Sequence, residues 1–346
     1  HWLPKGAEAG WVLPREDHFP QAKSYIPDLL PYTVQAMTYK GKLYGLPYYA
    51  DVMYFIYNKK MLADAGISAP PTTWQEVTHQ AKTIKQKGIA PDPVMIGLKA
   101  GSWFEEAFYA MVYSEGGKMF DEKLEAVFDS KSGPVYDVLQ WLATAINDDQ
   151  IMPKKVIDMT AVDVQQAFKE GQAAFVIVPG YMIREFNASA TSKVVGQAAI
   201  AMMPGKTHES NGFTRMHLLG KGAIKDDTRK MASLKSLEFL SGKVTIDGVT
   251  AYHIPKRWAV ENGLGFAVNP LWDDPDVKKA FEAAADINLM KAQQKQTRSK
   301  EGMAAPWFAE WITFARSESQ KTLLRQSSTT DVLEGLKDRW NKLKKQ

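Results

Sequence analysis

The chain has 346 residues, 45% of them apolar and 24% charged, which excludes dominant disorder and supplies cores for about two domains at roughly 100–200 residues each. The formal charge is +4 with both signs interspersed, so charge gives no argument for a nucleic-acid surface, and the basic ending 337–345 reads as the solvated face of a helix. Zero cysteine excludes disulfides, zinc–thiolate sites, iron–sulfur clusters and thiol catalysis, and leans only slightly toward export. The most apolar stretch, Ala173 to Ile183, is broken by Pro179 and Gly180 and falls short of the roughly 18 residues of a membrane span. His1 is followed by no charged and apolar leader, which reads as a trimmed or processed start.

Val52 to Tyr57, a β-branched and aromatic run, predicts the first strand. Thr73 is an N-cap hydroxyl with Glu76 at capping-box spacing, so a helix starts at Trp74. Its apolar face is Trp74, Val77, Ala81 and Ile84, and Gly88 supplies a left-handed stop. Val135, Val138, Leu139, Leu142 and Ile146 predict a second amphipathic helix. Strands follow at Ala174 to Val178, Val194 to Met203 and Met216 to Leu219. A last helix carries Val332, Leu333, Leu336, Trp340 and Leu343. This interleaving predicts α/β architecture with mostly parallel sheets, the helices covering them. With no repeat, heptad seam or Gly/Ser linker, two lobes would share crossing strands rather than a single tether.

Catalytic signatures are sparse. The six histidines, at positions 1, 18, 79, 208, 217 and 253, contain no i, i+4 pair and no HExxH, so no catalytic metal is expected. Gly205-Lys206-Thr207 imitates the end of a phosphate loop, but the residue where its first glycine belongs is Ile200, and a polar turn is the reading. GxSxG and GxGxxG are missing, and no cofactor is expected. Glu105 and Glu106 are helix neighbours about 100° apart and cannot flank one bond. Asn187-Ala188-Ser189 matches a glycosylation sequon and reads as a loop.

Aromatic residues are plentiful, 10 Trp, 13 Tyr and 15 Phe. Several stand beside turn residues and outside helical core spacing: Tyr48 and Tyr49, Trp103 and Phe104, Tyr181, and Trp307. Flat rings suit the C–H face of a sugar, with carboxylates such as Glu105, amides and arginine taking the hydroxyls at its rim. The competing reading of each ring is a place in its own lobe's core.

Successive blocks then resemble a known family. They are Ala7 to Leu13, Gly41-Lys42-Leu43-Tyr44-Gly45-Leu46-Pro47-Tyr48-Tyr49-Ala50-Asp51, Tyr57 to Ile67, Pro70 to Glu76, Ala167 to Phe175 and the closing helix with Trp340. In order and spacing they resemble the extracellular solute-binding proteins of ABC importers, and most closely the sugar-binding group that includes maltose-binding protein. The resemblance departs at the start, where the family's opening β-α-β units have no counterpart before His1 to Leu13, so the first lobe reads as incomplete.

The resemblance implies a two-lobe periplasmic-binding-protein fold, type II-like, that closes by hinge motion. It places lobe one in 1–50 and 219–290, lobe two in 53–214 and 300–346, and the crossings near 49–54, 213–218 and 286–302. It implies a monomer in the periplasm or outside the cell, membrane-attached if lipidated, that captures a sugar or oligosaccharide and delivers it to an ABC permease, with no nucleic-acid partner, no metal and no catalysis. Counted back from Tyr57-Asn58-Lys59, Asp51 falls on the acidic position that contacts sugar hydroxyls in maltose-binding protein. Arg215, on the second crossing, would donate to adjacent hydroxyls, pair with an acidic sugar, or form an interlobe salt bridge with Asp51. His217 on the same strand face and the +4 charge favour an acidic sugar, and Asp51 opposes it. The expected ligand-binding set is therefore Asp51, Tyr48, Tyr49, Trp103, Phe104, Glu105, Tyr181, Arg215, His217 and Trp307. The rival reading is a glycosidase or lyase that works the same aromatic cleft with two carboxylates from separate segments.

Overall fold

A computed structural model describes residues 2–346, the Ser102 side chain excepted. Its main sheet has seven strands: β1 (Val12–Leu13), β2 (Gly45–Asn58), β3 (Val94–Ile96), β4 (Phe175–Pro179), β5 (Ala198–Ala201), β6 (Ser210–Gly220) and β7 (Thr297–Arg298). The order is β1-β6-β2-β4-β3, with β5 against the end of β2 and β7 against the start of β6. The longer helices are α1 (Trp74–Gln86), α2 (Ser102–Ser114), α3 (Pro134–Asn147), α4 (Ala161–Lys169), α5 (Asp227–Ser241), α6 (His253–Asn262), α7 (Pro275–Glu282), α8 (Ile287–Lys295), α9 (Phe308–Leu323) and α10 (Thr329–Lys344). No helix among the described residues is long and apolar enough to cross a membrane.

The expectation of mostly parallel sheets is corrected. β3–β4 and β6–β7 are parallel, whereas β1–β6, β2–β6, β2–β4 and β2–β5 are antiparallel. The reason lies in β2. Its first half pairs with β6, up to Val52, and its second half, from Met53, pairs with β4 and β5. One long strand thus serves two neighbourhoods and runs against its partners in both, an arrangement that helix–strand alternation does not reveal. The strand expected at Val194 to Met203 shrinks to β5, because Gly196 takes a φ of 73° and Gln197 closes a turn onto the Val194 carbonyl.

Alternation along the strands splits the core between the two faces of the sheet. Met53, Phe55, Val94, Ile96, Phe175 and Ile177 pack on one side against α1, α2, α3, α9 and α10. Val52, Tyr54, Ile56, Met95, Val176 and Val178 face the other side, with α4, α6, α7, α8 and the segment 22–37. The first core closes on an aromatic knot: Phe120 stacks on Trp340 at 3.8 Å between centroids, and Trp311 lies edge-on to Trp340 at 5.3 Å. Both indoles donate to carbonyls, Trp340 to Leu124 at 2.8 Å and Trp311 to Leu336 at 2.9 Å, so their burial leaves no polar atom stranded. Helix α1 begins on the Thr73 hydroxyl, which accepts from the Glu76 amide at 3.1 Å, but the Glu76 carboxylate reaches past the cap to the Thr72 amide at 2.6 Å.

Candidate functional site

The site is built on the β2–β6 ladder. Pro47 stands opposite Met216 and Tyr49 opposite Arg215, so Tyr48 is an extra residue, a β-bulge at a proline that has no amide to give the ladder. Beyond the bulge, Tyr49 opposes Arg215 and Asp51 opposes Phe213, which sets all four side chains on one face of the sheet.

Asp51 is the most enclosed of them, 1% exposed. One carboxylate oxygen accepts from the Val52 amide at 2.8 Å; the other accepts from the Tyr181 amide at 2.9 Å and the Tyr49 hydroxyl at 3.1 Å. Glycine makes this approach possible, since a Cβ at Gly180 would collide with the carboxylate and one at Gly265 with the Ala50 carbonyl behind it. Burial pushes the Asp51 carboxyl up to about 7, against the pull of the donors that hold it. The same burial, with Asp51 beside it, raises the Tyr49 phenol well above its ordinary range.

From Tyr49 the rings run on continuously. Tyr49 and Phe213 are 6.0 Å apart, Phe213 and Trp103 5.7 Å, and Trp103 and Tyr181 6.3 Å. The Arg215 guanidinium lies 5.8 Å from the centroid of the Tyr49 ring. Arg215 is exposed and forms no ion pair among the described residues, so the salt bridge to Asp51 weighed for it is not made here. Alternation along β6 could have found Phe213, which sits two residues before Arg215 on the same face.

The other expected residues lie elsewhere. Tyr48 stacks on His217 at 4.5 Å and meets Trp258 edge-on at 5.2 Å. His217 Nδ1 is 2.8 Å from the Ser241 hydroxyl, and burial, with Arg15 nearby, lowers its titration. Phe104 is buried against Phe108, with ring centroids 6.1 Å apart. Glu105 receives the Lys300 ammonium at 2.7 Å and Arg316 Nε at 2.6 Å. Trp307 packs on Trp340 at 5.6 Å, at the edge of the aromatic knot.

A cleft of about 500 Å³ adjoins the cluster and is lined in part by Trp103, Phe213, Arg215, Glu106, Lys300 and Met303. Among the described residues β6 also pairs with β7 at Ser210–Asn211 and with β1 at Leu219–Gly220, and between these ends Phe213, Thr214, Arg215, Met216 and Leu218 border the cleft. A larger hollow of about 660 Å³ lies between α6 and α7. It is walled by alanines and by the ion pairs Arg257–Glu261 and Lys256–Asp276, and includes none of the expected residues. We place the candidate site in the smaller cleft because Trp103, Phe213 and the exposed Arg215 line it and the buried Asp51 is held behind them by Tyr49 and Tyr181 of the same ring cluster. Chemically, that set can stack on a flat ligand, accept from hydroxyls and donate from a guanidinium fork.

The family model for bacterial extracellular solute-binding proteins matches residues 2–213, more than half of the chain. A putative binding protein of Brucella abortus (strain 2308) is 26% identical over 207 residues, 59% of this chain and 47% of that protein. The maltotriose-binding protein of Pyrococcus abyssi is 31% identical over 126 residues, 36% of this chain and 25% of that protein. The chain thus spans about half the length of the Brucella relatives it matches. Among solved structures, maltose-bound T. maritima MalE3 superposes with a TM-score of 0.81 at 20% identity, covering 99% of this chain and 82% of that one. A D-mannitol-bound solute-binding protein of Agrobacterium vitis S4 superposes with a TM-score of 0.76 at 19% identity, covering 99% and 82%. These likenesses show the two-lobe α/β fold, and with the match to the family model they identify the chain as a member of the bacterial extracellular solute-binding protein family.

Proposed function

We propose that the chain captures a sugar or polyol between two lobes, outside the cytoplasm, and delivers it to the permease of an ABC importer. The observation that carries this reading is the continuous cluster of Tyr49, Phe213, Trp103 and Tyr181 around the buried Asp51, on and beside the β2–β6 ladder. The changeover of β2 partners between Val52 and Met53 supports a crossing at 49–54, with lobe one in 1–50 and 219–290 and lobe two in 53–214 and 300–346. On that division Trp103 and Tyr181 come from lobe two and Tyr49 and Arg215 from the crossings, so closure would bring the rings onto a ligand. Relatives named for maltotriose, diacetylchitobiose and mannitol support the ligand class.

Arg215 favours one refinement, a sugar that carries an acidic group, because it is the exposed cation of the cluster with no carboxylate partner among the described residues. Arg215→Lys keeps the charge and removes the fork; a tenfold weaker affinity for galacturonate, about 1.4 kcal/mol, marks a bidentate contact. Unchanged affinity in both Arg215→Lys and Arg215→Ala removes Arg215 from the site. Binding rather than catalysis is tested by incubating the chain with maltotriose, chitobiose and polygalacturonate and resolving the products. Unaltered glycans are expected, and cleavage would establish the enzyme reading instead.

A further inference from the structure

Around Lys300, hydrogen-bonding capacity is left over, and much of it borders the cleft. Lys300 follows β7 and is 2% exposed. An ammonium has three N–H donors. One goes to Glu105 Oε1 at 2.7 Å, one to Glu106 Oε1 at 2.5 Å, and the third finds no acceptor among the described residues. The Tyr109 ring, with its centroid 5.8 Å from Nζ, is a further neighbour. Glu106 accepts from Lys300 on one oxygen and from the Asn211 amide on the other, which leaves a second lone pair on each. Thr214 Oγ1 and Asn211 Oδ1 are buried with no partner among the described residues. Buried polar atoms in native proteins nearly all have partners, so several unused sites beside one cleft point to something that fills them.

Glu106, Lys300 and Thr214 line the cleft that also holds Trp103, Phe213 and Arg215. Charge narrows the choice. Glu105 and Glu106 balance Lys300 and Arg316, so the network asks for no further charge. Although burial alone would lower the Lys300 titration, Glu106 and Glu105 outweigh it and hold the ammonium protonated. A donor, an acceptor and a free hydroxyl side by side match alcohol groups, each of which both donates and accepts.

We propose that Glu106, Lys300 and Thr214 form a second contact patch of the binding cleft, which takes the hydroxyls of an uncharged, polyhydroxylated part of the ligand. This rests on the sugar-capture reading. It gives the cleft two unlike ends, the ring cluster with Arg215 and a charge-balanced wall for hydroxyls. If the network serves only to tie α2 to the segment after β7, its removal changes stability and leaves affinity alone.

The test is calorimetric titration of the wild-type chain, Glu106→Gln, Thr214→Val and Arg316→Gln with maltose, mannitol, ribitol and galacturonate, with a thermal melt of each variant. For whichever probe binds, Glu106→Gln should weaken affinity about tenfold or more and Thr214→Val about threefold to fivefold. Arg316→Gln, which breaks the end of the network on Glu105 and does not line the cleft, should lower the melting temperature with affinity within about twofold. Folded Glu106→Gln and Thr214→Val proteins with wild-type affinity would overturn the patch. Should Glu106→Gln not fold, Thr214→Val decides, because it exchanges a hydroxyl for a methyl of the same shape. If the wild-type chain binds none of the four probes, the sugar-capture reading fails and the patch with it, a result distinct from binding that the variants leave intact.

Discussion

Helices α10 and α5 are nearly equal in length, 16 and 15 residues, and are packed very differently. Helix α10 buries Val332, Leu333, Leu336, Trp340 and Leu343 on one stripe. Helix α5 buries only Leu234 and Ser241, and leaves Met231 58% and Phe239 44% exposed. The hairpin after it, Val244–Ile246 with Val249–Ala251, likewise leaves Ile246 and Val249 exposed. In the first region the helix is fixed by burial, in the second by its Asp226 cap and a few contacts, so cooperative stability should concentrate in the first.

The sharpest way to break that contrast is Trp340→Ala. It removes a ring that touches Phe120, Trp307 and Trp311, and should cost about 3–5 kcal/mol in chemical denaturation. Asp51→Asn comes next, at about 1–3 kcal/mol, because an amide NH₂ would face the Val52 or Tyr181 N–H where a carboxylate oxygen now accepts. The same variant carries a pH signature. Burial pushes the folded carboxyl up to about 7 from its ordinary 3.8, so the stability its protonated form contributes is complete below about 3.8, falls as pH rises above that and is lost by about 7. Wild-type unfolding free energy should therefore fall across that window by an amount that Asp51→Asn does not show. Thr73→Ala removes the α1 cap and should cost about 1 kcal/mol. Met231→Ala, on the exposed face of α5, should stay within about 0.5 kcal/mol of wild type, and a loss comparable to that of Trp340→Ala would erase the distinction between the regions.

What could be read from the sequence follows the same division. The stripes of α1, α3 and α10 are periodic because one face is buried, and the buried positions of those helices include every apolar residue the spacing had picked out. Helix α5 has no such stripe, and none was legible. In the candidate site, Tyr49, Trp103 and Tyr181 are marked by their place beside turns, Asp51 by the family resemblance and Arg215 by a crossing that the resemblance implies, and the fold gathers them into one cluster. Nearness to a turn does not say which way a ring points. Phe104 and Trp307 therefore carry the same signal as Trp103, yet Phe104 is buried in the core and Trp307 packs on Trp340 at its edge. The Glu105, Glu106 and Lys300 cluster was hidden for a different reason. Adjacent carboxylates diverge along a helix, but an ammonium that enters between them reaches both, and it comes from nearly 200 residues further along the chain.

Capture between two moving lobes, as proposed, is tested by small-angle X-ray scattering during a titration with maltose, mannitol, ribitol and galacturonate. One of these ligands should lower the radius of gyration saturably, in step with a change in tryptophan emission as Trp103 leaves the solvent. Saturable binding followed by tryptophan emission, with a scattering profile that stays the same from free to fully bound protein, would contradict it.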